Sequence, residues 1–325
     1  MTPPDARPAL GAGRVVTLGE TMCLLHTDSP ARLSQATYMK LGIGGAESNL
    51  AIALTRLGTP TSWIGRVGGD SFGERILREL RAEGVDIHAV IDPTSATGLM
   101  FKERLFADTG RVWYYRSDSA GSRLCPDDLP RALVTQAALL HVTGITPALS
   151  PTAHAATFEA IRLASEAMVP ISFDVNHRSA LWRDRDPGPV YRELARAATI
   201  VFAGEEEARI LAPGARDLKE LAQDIKALGP AQVVIKLGAR GCFALVDGAE
   251  YVQPAVPIRP VDTIGAGDAF AAGYLSEFVA AQDVVTRLRT AVTTGAYACL
   301  TGGDWEGLPL RSELHLLSSS EPVTR

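Results

Sequence analysis

The stretch that decides the fold is Asp262-Thr263-Ile264-Gly265-Ala266-Gly267-Asp268, and an apolar run follows it through Leu275. Two glycines around one small residue let the backbone approach an anion closely where a helix begins. The first N–H groups of a helix have no partner within it, and the helix dipole adds partial positive charge. The stretch therefore predicts a helix N-terminus at which the amides of Gly265, Ala266 and Gly267 stabilise a transferring phosphoryl group.

Asp268 would lie in the first turn of that helix, beside the bound anion. A carboxylate in this position can accept the proton of an attacking hydroxyl. For an isolated G-x-G-D, a plain glycine turn with a capping aspartate would be the favoured interpretation. Asp262 at its fixed spacing favours the catalytic interpretation. So do the small residues that follow, which would let the helix pack closely on a sheet: Ala269, Ala271, Ala272 and Gly273.

Bulk composition narrows the class of protein. The chain has 325 residues, 46% of them hydrophobic, and a net charge of -5. These values suit one large α/β domain or two smaller ones, exclude a membrane protein, and argue against nucleic acid as the main partner. Residues 1–13 lack the apolar stretch of a secretory signal, so we expect a flexible tail and a cytoplasmic protein. The four cysteines are widely spaced, as is typical of reduced thiols, and the six histidines lack metal-ligand spacing.

Apolar runs alternate with amphipathic stretches along the chain, which predicts an α/β fold with a parallel sheet covered on both faces. The predicted strands are Val15–Gly19, Thr61–Gly65, Leu139–Thr143, Ile171–Asp174, Ile200–Phe202 and Val233–Lys236. The predicted helices are Ala46–Leu57, Ser71–Glu83, Ala153–Ala167, Leu218–Leu228, Ala266–Ala280 and Val284–Leu300.

Two segments, 22–42 and 97–117, have strand-like alternation without a helix directly after them. Within the second, Leu99–Phe106 and Arg111–Arg116 form a predicted hairpin with its turn at Ala107–Gly110. Such inserted strands are expected to form a lid over the carboxyl ends of the parallel strands, where ligands bind. Because lid strands have exposed edges, we also expect a homo-oligomer.

Two motifs of the sequence resemble those of one family. The stretch D-T-I-G-A-G-D-A-F-A-A-G-Y-L resembles the second signature of the ribokinase-like (PfkB) carbohydrate kinases. The first signature is matched by Gly44-Gly45-Ala46-Glu47-Ser48-Asn49, with Gly68-Gly69-Asp70 after it. The resemblance implies a doubly wound, mostly parallel α/β sheet flanked by helices, with a small β-sheet lid. It implies one kinase domain over residues 14–315, tails at 1–13 and 316–325, and ATP and Mg²⁺ as cofactors. It leaves a monovalent cation open.

The family's sugar-contacting motif G-G-x-x-x-N corresponds to Gly44, Gly45 and Asn49. Its K-x-G-x-x-G loop near the nucleotide phosphates corresponds to Lys236, Gly238 and Gly241, although in isolation a strand-to-hairpin turn fits this pattern equally well. Gly265 and Gly267 would also contact the nucleotide, and the small-residue run from Gly295 would border the adenine.

Asn176 and Glu207 resemble the residues that hold water-bound magnesium and phosphate in the family. The usual motif there is N-x-x-E, and here Gly204 stands where asparagine is usual. Glu207 therefore keeps the acid while the asparagine is missing. Glu205-Glu206-Glu207 also fits a simpler interpretation, acidic residues that favour a helix N-terminus.

The middle of the chain resembles the 2-keto-3-deoxygluconate kinases, in R-V-W-Y-Y-R from Arg111 and in D-V-N-H-R-S-A-L-W from Asp174. The resemblance implies that Tyr114, Arg116 and Arg178 contact a sugar acid, and two guanidiniums do suit a carboxylate. Three further residues are expected at the substrate: Met100, where a second tyrosine is usual, Asp262, which would orient hydroxyls or the loop, and Asp304.

The leading hypothesis is ATP-dependent phosphorylation of 2-dehydro-3-deoxygluconate to its 6-phosphate, with Asp268 as general base. A kinase for a neutral ketose or pentose, of fructokinase or ribokinase type, is the alternative. A non-catalytic sugar sensor is a third, which the intact Asp268 argues against. A Rossmann dehydrogenase would need G-x-G-x-x-G after the first strand, where the sequence has Gly19-Glu20-Thr21-Met22.

Overall fold

The computed structural model describes residues 13–27, 32–106 and 109–318. The strands are β1 (Val15–Leu18), β2 (Met22–His26), β3 (Lys40–Gly44), β4 (Thr61–Gly68), β5 (Asp86–Asp92), β6 (Leu99–Phe106), β7 (Thr109–Tyr115), β8 (Leu139–Thr143), β9 (Ile171–Asp174), β10 (Ile200–Gly204), β11 (Gln232–Lys236), β12 (Cys242–Val246) and β13 (Ala249–Gln253).

The helices are α1 (Ala46–Arg56), α2 (Ser71–Ala82), α3 (Arg131–Thr135), α4 (Thr146–Leu149), α5 (Pro151–Glu166), α6 (Ser179–Trp182), α7 (Gly188–Ala197), α8 (Glu205–Leu211), α9 (Leu218–Ala227), α10 (Ala266–Val279) and α11 (Val284–Ala298). In the described part of the chain no helix combines the length and the apolar character needed to cross a membrane.

The large sheet has nine strands in the order β13-β12-β11-β10-β9-β8-β1-β4-β5. All neighbours are parallel except β11, β12 and β13, which pair antiparallel at one edge. Its strands are buried on both faces, because successive side chains point to opposite sides. In β10, Val201 and Ala203 pack into the cluster under α5, α7, α8 and α9, whereas Ile200 and Phe202 pack with α1, α10 and α11. The predicted doubly wound α/β fold is confirmed.

Helix α10, which carries the glycine motif, is packed tightly. A Cβ atom on Gly273 would lie 2.8 Å from the carbonyl oxygen of Thr290 and 2.8 Å from Oγ1 of Thr294, so α10 and α11 approach at a distance that suits glycine. Phe270 and Tyr274 stack edge-on against Phe202 of the sheet. The first turn of α10 is therefore held firmly beside the carboxyl ends of the strands.

A second, four-stranded sheet has the order β3-β2-β6-β7, and it shares a pocket with the N-terminus of α10. Met22, Leu24 and Met100 form its small buried core. It is built from the two segments that were predicted to form a lid. The hairpin differs at both ends of its second strand, because β7 runs from Thr109 to Tyr115 rather than from Arg111 to Arg116. Residues 107 and 108 of the predicted turn lie outside the described residues.

The other predicted strands and helices are present, with ends that differ by at most three residues. Three strands were not predicted: β5, β12 and β13. The predicted N-terminal tail lies outside the described residues except for Gly13. Residues 316–318, predicted as tail, form a short 3-10 turn.

Candidate active site

Asp268 is held by two amides from distant parts of the chain. Nδ2 of Asn49 in α1 donates to its Oδ2 (2.9 Å), and Nδ2 of Asn176 after β9 donates to its Oδ1 (3.0 Å). The Asp268 side chain is almost fully buried. Asn176 was predicted to hold a hydrated magnesium or phosphate; in the structure its amide orients the carboxylate of Asp268. It adopts φ +40°, a conformation that favours glycine and asparagine.

Burial raises the pKa of Asp268 from its ordinary value to about 7. The Asn49 hydrogen bond and the positive charges of Arg178 and Lys236 oppose this rise, while the Asp174 carboxylate adds to it. A carboxyl group with a pKa near neutrality is well matched to general base catalysis, because at neutral pH about half of it is deprotonated and the carboxylate is basic enough to take a proton.

The turn before α10 has the geometry that its glycines suggested. Gly265 adopts φ +79°, and a Cβ there would lie 2.2 Å from the carbonyl oxygen of Asp304. The Ala266 N–H, predicted to stabilise an anion, donates to the carbonyl of Thr263 at 3.3 Å within the turn. Gly267 and Asp268 occupy the following positions, where a helix leaves its N–H groups unpaired.

Lys236 lies beneath this turn. Its Nζ is 2.8 and 2.7 Å from the two carboxylate oxygens of Asp174, the last residue of β9. It would also lie 3.3 Å from a Cβ on Gly267. Burial lowers the pKa of Lys236, but the carboxylates of Asp174 and Glu207 raise it more, so the ammonium stays charged. A fixed positive charge therefore faces the proposed anion site.

A polar pocket opens between the lid and α10, with Asp268 on its wall. Seven of the nine predicted substrate residues line it: Gly45, Asn49, Met100, Tyr114, Arg116, Arg178 and Asp304. Gly44 lies behind Asp304, where a Cβ would be 2.4 Å from Oδ2 of that residue. Asp262 lines an adjoining cavity under the lid.

The two arginines of the polar pocket have different surroundings. Arg116 donates to the buried Glu20 carboxylate from Nε (2.7 Å) and pairs with it through Nη2 (2.6 Å). Its guanidinium also lies 5.8 Å above the ring centre of Tyr114. Arg178 is exposed, and the hydrogen bond described for its guanidinium goes to the carbonyl of His177. The predicted pair of carboxylate-binding arginines thus includes one that already pairs with an acid.

An apolar cavity of about 410 Å³ adjoins the other side of the α10 N-terminus. Its walls include Val256, Ile258, Phe270 and Val292, a lining that suits a flat, largely apolar ring. Five predicted nucleotide residues line it: Lys236, Gly238, Gly241, Gly267 and Gly295. Gly265 faces the polar pocket instead.

The acidic and amide groups near the α10 N-terminus fit a magnesium ion carried by a nucleotide better than a protein-held metal. Glu207 uses both oxygens for backbone amides, Oε1 for His177 (2.8 Å) and Oε2 for Gly204 (2.6 Å). Asp174 is paired with Lys236, and among the described residues no group of three or more His, Cys, Asp and Glu side chains could hold a metal. Mg²⁺ commonly keeps several of its water ligands and is bound through the phosphates of a substrate. Single water-mediated contacts from protein side chains are then enough to position it.

Sequence reasoning missed four buried charged residues: Glu20, Glu47, Lys102 and Asp174. Glu47, on the pocket floor, accepts hydrogen bonds from the hydroxyls of Thr143 and Thr146 (2.7 Å each), and burial raises its pKa. Asp174 carried a usable signal, because it ends a buried strand at the edge where ligands bind. Lys102 carried another, because it stands two residues after Met100 on the same strand face.

A buried carboxylate beside a glycine turn that leads into a helix, with a pocket of polar side chains on one side and an apolar cavity on the other, is the arrangement expected of a small-molecule kinase. Residues 12–311 match the model of the pfkB family carbohydrate kinases, and the chain belongs to that family.

Its relatives share most of its length. The chain is 36% identical to a 2-dehydro-3-deoxygluconokinase of Thermoproteus tenax, over 93% of each chain. It is 34% identical to the Bacillus subtilis protein of that name, over 94% of this chain and 95% of that one. It is 33% identical to a 2-dehydro-3-deoxygalactonokinase of Haloferax volcanii, over 89% and 92%.

Solved structures agree with the fold. A PfkB protein from Polaromonas sp. JS666 is 35% identical and superposes with a TM-score of 0.85, over 93% of this chain and 99% of that one. A sugar kinase from Pyrococcus horikoshii, solved in complex with ATP, is 27% identical with a TM-score of 0.81, over 93% and 97%.

Proposed function

We propose that this kinase phosphorylates 2-dehydro-3-deoxygluconate on its terminal hydroxyl, with ATP and Mg²⁺. The observation that carries the proposal is the position of Asp268, a buried carboxylate with a pKa of about 7 that faces both the polar pocket and the anion-binding turn. The names of the relatives from Thermoproteus and Bacillus support the same acceptor.

The first task of the site is to activate the acceptor hydroxyl. The amides of Asn49 and Asn176 hold the two oxygens of Asp268 in one orientation, so a remaining lone pair can face the polar pocket. Asp268 takes the proton as the hydroxyl oxygen attacks the γ-phosphorus of ATP. The bond from that phosphorus to the bridging oxygen breaks, and ADP leaves.

The second task is to hold the phosphoryl group. The N–H groups at Gly267 and Asp268 and the ammonium of Lys236 offer positive charge where negative charge develops. Bound Mg²⁺ supplies neutralisation of the phosphate charge. Asn176, Asp174 and Glu207 would hold that ion through water-mediated contacts.

The third task is to recognise an acid. Arg178 lines the polar pocket, and no carboxylate partner is described for its guanidinium, which makes it our choice for the substrate carboxylate. Arg116 would add a second contact while staying paired with Glu20. Tyr114 offers a hydroxyl on the lid side of the same pocket.

We also propose that the enzyme is a homo-oligomer in the cytoplasm. Its lid presents exposed apolar side chains, Leu41, Trp113 and Tyr115, which support a homo-oligomer. The four cysteines are free thiols, which supports a reducing cytoplasm.

The test is an ADP-release assay with ATP and Mg²⁺ on 2-keto-3-deoxygluconate, its galactonate epimer, gluconate, fructose and ribose. We expect turnover on the keto-deoxy acids, and comparison of the two epimers decides which is preferred. Runs with and without potassium test for a monovalent cation. Preferred turnover of fructose or ribose would overturn the acid as substrate while leaving the kinase.

Arg178→Ala sharpens the test. Because the charge of Arg178 also lowers the pKa of Asp268, its loss should lower kcat/KM for every acceptor. The decrease should be about tenfold larger for the sugar acid than for a neutral sugar. Arg123→Ala removes an exposed arginine elsewhere and should change neither. An equal loss on both acceptor types would contradict a carboxylate contact at Arg178.

A further inference from the structure

Lys102 is a buried lysine that none of the three tasks uses. It lies on β6 of the lid, and its side chain is 10% exposed. Its Nζ forms an ion pair with Oδ2 of Asp262, and a second one with Oδ1 of Asp304 at 3.4 Å. Both acids belong to loops outside the four-stranded lid sheet, and their side chains are 12% and 4% exposed. One ammonium therefore joins the lid to two separate loops.

The two acids that Lys102 contacts also touch the anion-binding turn. Oδ1 of Asp262 accepts a hydrogen bond from the N–H of Ile264 (3.1 Å), one residue before Gly265. The carbonyl oxygen of Asp304 lies against Gly265, where a Cβ would approach it to 2.2 Å. Lys102 thus connects to both sides of the turn that leads into Asp268.

Charge explains why a cation is needed there. Asp262, Asp304 and Glu306 are three acids in neighbouring positions, and burial together with the negative charge of Glu306 and Asp262 raises the pKa of Asp304 to about 6 against the opposing effect of Lys102. Two carboxylates that share a buried site repel each other unless a positive charge lies between them. Without Lys102, the two loops would move apart, or one of the two carboxylates would take up a proton.

Lys102 also borders the space in which the acceptor would lie. It lines the polar pocket together with Met100, which precedes it by two residues on the same strand face, and it lines the adjoining cavity beside Asp262. It does not line the apolar cavity. An effect of Lys102 on catalysis should therefore fall mainly on the acceptor and the turn, and much less on nucleotide affinity, because most of the apolar cavity is lined by residues outside the turn.

We propose that Lys102 is a positioning residue for phosphoryl transfer, which fixes the lid strand onto Asp262 and Asp304 and thereby holds the anion-binding turn in register with the acceptor. The proposal rests on the kinase function proposed above for its catalytic part. Its structural part, the ordering of the turn by a lid lysine, stands without any substrate.

The structural part is tested in the free protein by amide hydrogen exchange on Lys102→Met and on wild type. We expect exchange at residues 262–268 to become at least about tenfold faster, because local opening becomes easier when the ion pairs are lost. Lys219→Met, which removes an exposed lysine on α9, should leave these residues unchanged. Unchanged exchange at 262–268 in Lys102→Met would overturn the proposal, whatever the acceptor proves to be.

The catalytic part uses the acceptor that wild type phosphorylates best. Lys102→Met should lower kcat/KM for that acceptor by about 10²-fold, since a displacement of about 1 Å can have such an effect. KM for ATP should stay within about twofold, and Lys102→Arg should recover part of the loss. Asp304→Asn added to Lys102→Met should cost far less than Asp304→Asn alone.

Two results would contradict that part. Equal decreases in kcat/KM for the acceptor and for ATP would indicate a general structural role. Strictly additive losses in the double variant would show that Lys102 and Asp304 are not energetically coupled. If Lys102→Met does not fold, Lys102→Arg and Asp262→Asn carry the same comparison. A wild type that phosphorylates only neutral sugars would refute the proposed substrate and leave the Lys102 experiment intact.

Discussion

Nδ2 of Asn49 lies 2.9 Å from Oδ2 of Asp268, although 219 positions separate the two residues in the chain. The contact joins the N-terminal glycine motif to the C-terminal one. Oδ1 of the same amide is buried and has no partner among the described residues. Asn49 also lines the polar pocket, so the side chain that orients the Asp268 carboxylate borders the space in which the acceptor would lie.

Replacement of Asp268 by asparagine should abolish most of the activity. General bases contribute about 10²- to 10⁴-fold, so we expect kcat to fall by about 10³-fold while KM for ATP changes little. Steady-state kinetics check this, with Asp224→Asn as the control because Asp224 is an exposed acid on α9. Activity within tenfold of wild type in Asp268→Asn would remove the base from the mechanism.

The dependence of kcat/KM on pH should report the ionisation of Asp268. Because the base must be deprotonated and its pKa is about 7, kcat/KM should fall with decreasing pH below about 7 and level off above it. Arg178 lowers that pKa, so Arg178→Ala should move the midpoint to higher pH. A midpoint that stays fixed or moves down would contradict the assigned charge effect; Arg123→Ala serves as the matched arginine control.

Much of this fold could be predicted from the sequence because buried parallel strands and amphipathic helices leave separate periodic patterns. The glycine motif before α10 also predicted the turn that leads into this helix, since φ +79° at Gly265 favours glycine and leaves a local trace in the sequence. Strands β12 and β13 left a weaker trace. They pair antiparallel at the sheet edge, and β13 is largely exposed, so its apolar run is short.

The partners of the buried charges could not be predicted, because they depend on which loops the topology brings together. Lys102 and Asp304 are 202 positions apart, and Arg116 and Glu20 are 96 apart. A strand pattern indicates on which face of the sheet a side chain lies. It does not indicate which residue of another segment that side chain contacts. For this reason the sequence suggested two available arginines, while the structure has one of them paired with an acid.

Loss of Arg116 should lower the free energy of unfolding as well as the rate of phosphoryl transfer. Arg116→Ala would leave the Glu20 carboxylate buried without its cation, a change that typically costs about 3–5 kcal/mol of unfolding free energy. Urea unfolding measures the difference. Arg162→Ala is the control, because its pairs with Glu159 and Glu166 lie on the surface, where solvent screening leaves ion pairs little effect on the free energy of unfolding. Equal effects of the two variants would refute the buried pair.

The apolar cavity should accept the nucleotide base beside Gly295. Gly295→Leu would extend a side chain into that cavity from α11, so we expect KM for ATP to rise about tenfold or more while KM for the sugar stays within about twofold. Arg289→Leu places the same side chain on an exposed position of α11 and should leave both values unchanged. A rise confined to the sugar KM would reassign the cavity.

Gly265→Ala tests whether the turn before α10 needs its left-handed backbone. An alanine at φ +79° is strained by about 1–2 kcal/mol, and its Cβ would meet the Asp304 carbonyl oxygen at 2.2 Å, so the turn must shift. We expect unfolding free energy to fall by about 2 kcal/mol or more and kcat to fall by about 10²-fold, because the amides and Asp268 move together with the turn. Gly214→Ala is the matched control: nothing lies within 4 Å of a Cβ there, so it should be neutral or slightly stabilising. A Gly265→Ala variant with wild-type kcat would mean that phosphoryl transfer does not depend on the exact position of this turn.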